Sequence, residues 1–262
     1  MAGKGPPAAW QRLGVGAFLL ALVAVWQGIA SAGLLPAYSF PSPGAVVSRL
    51  AELLREGTLA ASIRASLLRM LLGYLLSATL GILIGLAMGS SPFVSRCLKS
   101  LFLGLQTLPS VAWVPIALLL FGLNDAAIYF VIVMSSSAAM AVATADGIAN
   151  IPPLYLRVAR TFGASPWTMS THVVLPAALP SIVTGVKLGW TLGWHGVVSA
   201  ELVKSTVGLG FLLHMGRELN DAAQVVAVML VTVLVGLLVD RLVFRGVERR
   251  IRHRWGLETG GD

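Results

Sequence analysis

Apolar residues run along this chain in stretches too long for the helices of a small soluble domain, and short polar segments separate them. The first stretch covers 13–32 and the second 67–88; a third, interrupted by Pro109 and Pro115, ends near Gly122. A fourth covers 125–145, a fifth 182–203 and a sixth 222–244. About 20 apolar residues make a helix that crosses the hydrocarbon core, so the pattern predicts an all-α membrane protein with six transmembrane helices. Between them lie residues 1–12, a proline-bearing segment over 33–66, loops over 90–100, 146–180 and 204–221, and a tail over 245–262. Within 33–66, Arg49, Glu52, Arg55 and Glu56 alternate with apolar positions at helical spacing, which predicts a short surface helix. Segment 146–180, with prolines at 152, 153, 166, 176 and 180, is too polar and broken to span.

Composition sharpens this picture. Hydrophobic side chains make up 56% of the chain and charged ones only 11%, with a mean hydropathy of +0.84, against about 25% charged in soluble domains. The net charge of +8 is spread through short segments, notably Arg245, Arg249, Arg250, Arg252 and Arg254 after the last stretch. That is the positive-inside distribution of membrane proteins rather than a nucleic-acid-binding patch. It places both termini, 90–100 (with Arg96 and Lys99) and 146–180 in the cytoplasm, and 33–66 and 204–221 outside. The single cysteine, Cys97, rules out an intrachain disulfide and reads most simply as an inert thiol.

Two features keep alternatives open. Lys4, Arg12 and Ala30-Ser31-Ala32 around the first stretch also fit a cleaved secretory signal, which would leave five spans. The length of the stretch, and Trp26 and Gln27 at its outer end, favour an uncleaved first span. In the second stretch Gly81, Gly85 and Gly89 recur every four residues, a spacing that permits close helix approach in lipid or is merely tolerated there. Pro109 and Pro115 free backbone carbonyls and so set the third stretch against protein or a cavity.

Residues 157–167 read Arg-Val-Ala-Arg-Thr-Phe-Gly-Ala-Ser-Pro-Trp, and 173–180 read Val-Val-Leu-Pro-Ala-Ala-Leu-Pro. This register resembles the EAA loop of binding-protein-dependent ABC importer permeases: Glu-Ala-Ala, three residues, Gly, nine residues, Ile, one residue, Leu-Pro. Ala159, Gly163, Leu175 and Pro176 fall on the pattern and Val173 replaces Ile, whereas Arg157 and Val158 depart from Glu and Ala. Pro41-Ser42-Pro43, residues 108–115 and the run from Trp194 to Glu201 are similar to the nitrate/sulfonate/taurine group of that family.

The resemblance implies a type I importer permease fold with a cytoplasmic coupling helix, and residues 67–244 as a permease core of five spans. It implies a bacterial inner-membrane homodimer that works with two cytoplasmic ATPases and an external or lipid-anchored binding protein, with membrane lipid around it and no nucleic acid. Coupling would fall to Arg157, Ala159, Arg160, Gly163, Ala164, Leu175 and Pro176, with the small residues allowing close seating and Arg160 offering a charge-assisted contact. The solute would be a small anion such as a sulfonate, taurine, nitrate or a related organic acid, or alternatively a vitamin precursor or other uncharged solute.

The chain has no Gly-x-x-x-x-Gly-Lys-Ser/Thr, so ATP and magnesium would be bound by the partner ATPase and no cofactor by this chain. Nor does it show a metal-ligand cluster or a nucleophile–base arrangement, so an intramembrane enzyme is unsupported. A secondary transporter would predict inverted repeats with paired broken helices, which the pattern lacks. Ionisable groups inside a membrane are expensive, which marks Lys187, His195, Glu201 and Asp240. Trp190 and Trp194, four apart, share a helix face with the approximate direction of Lys187. With Gln106 and Pro109 of the interrupted third stretch, Lys187, Trp190, Trp194, His195 and Glu201 are the candidate residues of a solute path.

Overall fold

A computed structural model describes residues 8–33, 36, 38–204 and 206–246, and every regular element among them is helical. In chain order these are α1 (Ala8–Ser31), α2 (Pro43–Arg55), α3 (Thr58–Ser90), α4 (Pro92–Gln106), α5 (Trp113–Phe121) and α6 (Asp125–Ala149). Then come α7 (Pro153–Thr161), α8 (Pro166–Met169), α9 (Leu175–Lys204), α10 (Leu209–Glu218) and α11 (Ala222–Val239). Four runs are long and apolar enough to cross a membrane: Thr58–Ser90, Asp125–Ala149, Pro166–Val203 and Ala222–Phe244. A fifth crossing results if α4 and residues 110–121, bent by 96° at their junction, count as one. The described apolar part of α1, Gly16–Ser31, is shorter than these. The basic tail from Arg249 onward lies outside the described residues.

Two segments depart from the sequence expectation. Residues 90–100 are no loop, because α4 starts at Pro92 directly after the extended Ser91. Proline's missing N–H and fixed φ suit the first helical position. The same logic explains why Pro115 does not interrupt α5: it sits in the first turn, where amides have no intrahelical acceptor. The break lies instead at Thr107–Pro109, where short bonds from Thr107 N to Gly104 O (3.1 Å) and Leu108 N to Leu105 O (3.2 Å) end α4. Likewise helix resumes at Pro166 rather than after Pro180. Residues Ser170–Val174 widen into a π-turn just before Pro176, and Pro180 lies inside α9. A π-turn shifts the bonding register by one residue and so accommodates a proline that cannot donate.

The described residues divide into two compact units, 8–60 with 212–231 and 61–211 with 232–246. In the smaller one, Ser42 caps α2 by accepting from Ala45 N (3.3 Å), with Pro43 at the first position. Arg49 of α2 holds Glu52 (3.0 Å), Asp221 (2.9 Å) and Gln224 (2.8 Å), while Trp26 Nε1 donates to Pro41 O (2.9 Å).

The larger unit is built around α6, whose Ile128, Val131, Ile132, Met140 and Ala141 are fully buried. Helix α3 lies against it along the glycine row read from the sequence. A Cβ on Gly81 would stand 2.7 Å from Ser137 O, on Gly85 2.5 Å from Thr144 Cβ, and on Gly89 2.5 Å from Ile148 Cδ1. Of the two readings of that row, close backbone approach is the one the structure bears out. A second row on α9, Gly185, Gly189, Gly193 and Gly196, faces α6 and Met70 in the same way, and its spacing was not singled out in the sequence. Gly85→Leu is therefore expected to cost about 1–3 kcal/mol through overpacking. At Gly104 a Cβ meets nothing within 4 Å, so Gly104→Ala should gain about 0.5–1 kcal/mol. Thermal melts in detergent check both; a Gly85→Leu melt equal to wild type refutes the contact.

Candidate functional site

The EAA-like segment forms a compact exposed hook. Helix α7 ends in two backbone bonds, Ala164 N to Ala159 O (3.1 Å) and Gly163 N to Arg160 O (3.0 Å), the paired closure of a Schellman turn. That closure needs a left-handed residue at Gly163, whose φ is +74°, and a Cβ there would meet nothing within 4 Å. The glycine is thus required by its backbone. Ser165 then caps α8 by accepting from Thr168 N (3.2 Å), with Pro166 at the first position.

What the hook presents is apolar. Phe162 is 86% exposed and Trp167 77%, and Leu154, Tyr155 and Val158 are also exposed. Arg157 and Arg160 are exposed and make no ion pair among the described residues, while Ala159 and Ala164 are half-buried. Leu175 and Pro176 open α9 on the far side of the π-turn. Five large apolar side chains, three on α7, one at its C-cap and one on α8, stand beside Arg157 and Arg160 and form a surface suited to a protein partner.

The candidate path residues fall into three groups. Gln106, Pro109 and His195 meet at a cavity of about 280 Å³ at the α4–α5 break, lined also by Thr107, Ser110, Trp113 and Ser135. Gln106 Nε2 and Ser135 Oγ are buried in that region without a partner among the described residues. Each such atom costs about 1–3 kcal/mol while unmet.

Trp190 and Trp194 are packed rather than open, 8% and 6% exposed. They stack on each other at 6.3 Å and 10°, and Tyr74 meets Trp190 edge-on at 5.2 Å. Together with His195 and Asp240 they wall a second, mostly apolar cavity of about 360 Å³ between α9 and residues 232–240. Lys187 lines neither cavity; it pairs with Asp240 at 3.5 Å.

Glu201 stands apart, with none of its surface exposed. It accepts from Ser66 Oγ (2.7 Å), Arg69 Nη1 (3.0 Å) and Gly210 N (3.1 Å). Arg69 also donates to Val207 O (2.6 Å) and pairs with the exposed Asp125 (3.4 Å), so one cluster with a buried carboxylate at its centre ties α3, α6, α9 and the start of α10. A Cβ on Gly208, at φ +155°, would lie 2.5 Å from a Glu201 carboxylate oxygen. Arg69, Ser66, Asp125 and Ser135 were not singled out in the sequence. The signal available for Arg69 was its place two residues inside the expected second span, a lone cation needing an acid. Among the described residues no group of His, Cys, Asp or Glu could hold a metal.

Comparison with known proteins matches residues 77–253 to the family described as "Binding-protein-dependent transport system inner membrane component". Among curated relatives, the taurine transport system permease protein TauC of Escherichia coli is 30% identical over 238 residues, covering 89% of this chain and 86% of that one. The putative aliphatic sulfonates transport permease protein SsuC of the same organism is 32% identical, covering 89% and 88%. The bicarbonate transport system permease protein CmpB of Synechocystis is 32% identical, covering 85% and 83%. Among solved structures, a chain of the MetNI methionine ABC transporter in an inward-facing conformation superposes with a TM-score of 0.58 at 18% identity, over 70% of this chain and 93% of that one.

Proposed function

We propose that this chain, which belongs to the binding-protein-dependent transport system inner membrane components, carries a small oxyanion inward across the bacterial cytoplasmic membrane. It is a multi-pass permease subunit of an ABC importer, and it carries no phosphate-binding loop of its own. The observation that carries the substrate class is similarity over most of the chain to permeases named for taurine, aliphatic sulfonates and bicarbonate. Those solutes share one chemistry, a compact anionic head with oxygens around a central sulfur or carbon.

The rest of the reading follows from where polar and apolar groups lie. Six spans with both termini in the cytoplasm put the α7–α8 hook on the inner face, where its exposed Phe162 and Trp167 are accessible to a soluble ATPase. Two copies around a two-fold axis, each with one hook, bind two ATPases, and an external binding protein delivers the solute between the copies. Closure of the ATPases draws the hooks together and opens the outer side.

The test is co-expression of the tagged chain with the ATPase and binding protein encoded beside it. A two-plus-two complex is expected, with ATP hydrolysis stimulated by the loaded binding protein. Failure to associate with any ATPase would remove the importer reading.

A further inference from the structure

The break between α4 and α5 leaves a polar cavity inside an otherwise apolar part of the fold, and we propose that it is a resting site for the oxyanion head of the solute in transit. This inference rests on the anion-importer reading above and adds the residues that would hold the solute. Irregular backbone at membrane depth is tolerated where it lines a cavity, and the Thr107–Pro109 break together with the short turn Ser110–Ala112 does so here.

The wall's chemistry selects an acceptor. Its polar side chains are Gln106, Thr107, Ser110, Trp113, Ser135 and His195, and neither Asp nor Glu is among the lining residues. Gln106 Nε2 can only donate, and it is buried without an acceptor among the described residues. Ser135 Oγ, buried and equally unmet, comes from the opposite helix, α6. Ser110 Oγ lies 3.2 Å from Ser199 Oγ and either hydroxyl can donate; with Ser199 as donor, the Ser110 proton turns toward the cavity. Donors thus approach from α4, the turn after the break, α6 and α9, a spread that suits a head with several oxygens rather than a single carbonyl.

Size and charge agree. A volume of about 280 Å³ lies just below the roughly 300–1,000 Å³ of pockets for drug-sized ligands, which suits a smaller solute. His195 is the one lining side chain able to become cationic. Lys187, the nearest lysine along α9, is engaged with Asp240 and lines no part of the cavity. A site made of neutral donors holds an anion without trapping it, which a conduit requires.

The test uses the complete complex in proteoliposomes, with ethanesulfonate, taurine and nitrate as separate probes, and the variants Gln106→Leu, Gln106→Glu and Ser135→Ala. Removing one donor is expected to lower uptake by about 3- to 10-fold, and Gln106→Glu, which adds a repelling carboxylate, by more than about 10-fold. The half-saturating concentration of loaded binding protein should stay constant, because delivery at the outer mouth does not involve these residues. Turnover equal to wild type in assembled Gln106→Leu and Ser135→Ala complexes overturns the site and leaves the importer reading standing. A wild-type complex whose ATP hydrolysis responds to its binding protein, yet moves none of the three probes, overturns the oxyanion reading, and the inference goes with it. Ser135→Ala changes one hydroxyl, so it remains decisive if the Gln106 variants fail to assemble.

Discussion

Arg69→Met is expected to destabilise the chain by about 3–5 kcal/mol, the cost of leaving a buried carboxylate without its cation. The geometry makes the dependence one-sided. Glu201 has no exposed surface, and among the described residues Arg69 is its only cationic contact, at 3.0 Å, beside the neutral donors Ser66 and Gly210. Methionine keeps most of the arginine stem's volume, so the loss is electrostatic rather than a cavity. The double variant Arg69→Met with Glu201→Gln should recover a large part of the loss, because a neutral amide can still meet Ser66 and the Gly210 amide. Replacing both members of a buried pair is commonly far milder than removing one. Thermal melts by circular dichroism in detergent, over the full double-mutant cycle, check this. Melts of Arg69→Met and wild type that coincide would show that the cluster contributes nothing to stability.

That cluster also marks the boundary of what the sequence makes legible. The membrane class, the surface helix α2 and the glycine row of α3 follow from period and composition, which act locally and so survive in one dimension. Glu201 was visible as an ionisable group in a span, but its partner lies 132 residues earlier. Nothing local pairs Arg69 with it. Spacing likewise put Trp190 and Trp194 on one face without revealing that this face packs against Tyr74 and Phe244.

Prolines misled for a related reason. Taken one at a time, Pro115, Pro176 and Pro180 predict interruptions. In the structure a first-turn position removes the need for the missing amide at Pro115, and a π-turn adjusts the register before Pro176. Of the seven residues the sequence grouped along one path, only Gln106, Pro109 and His195 line the cavity at the 96° bend, a selection that the spacing along the chain could not make. In the coupling segment the sequence register identified Gly163 and assigned it close seating against a partner, and the fold of this chain adds a separate reason for glycine there. Open space surrounds it, and what fixes glycine there is the +74° φ that closes α7.

The consequence for coupling is a second large effect, with two separable causes. Phe162→Asp should weaken the hold of the permease on its ATPase by about 30- to 800-fold, the equivalent of roughly 2–4 kcal/mol for a buried aromatic anchor. Phe162 is the most exposed large apolar side chain of the hook at 86%, and no packing among the described residues accounts for an aromatic there. Its replacement should leave the melting temperature of the isolated permease unchanged. Gly163→Val acts differently, since a β-branched residue is strained at positive φ by about 1–2 kcal/mol or more. It should unwind the Ala159–Ala164 closure and misdirect Phe162 rather than remove it. Gly163→Asn, tolerated in the left-handed region, should then retain much of the association that Gly163→Val loses. Pull-down stoichiometry and binding-protein-stimulated ATP hydrolysis read both variants. If Phe162→Asp holds its ATPase as tightly as wild type, the exposed apolar face is not the docking surface. If Gly163→Asn fails as badly as Gly163→Val, bulk at that position matters more than backbone hand, and close seating against the partner is the role of the glycine after all.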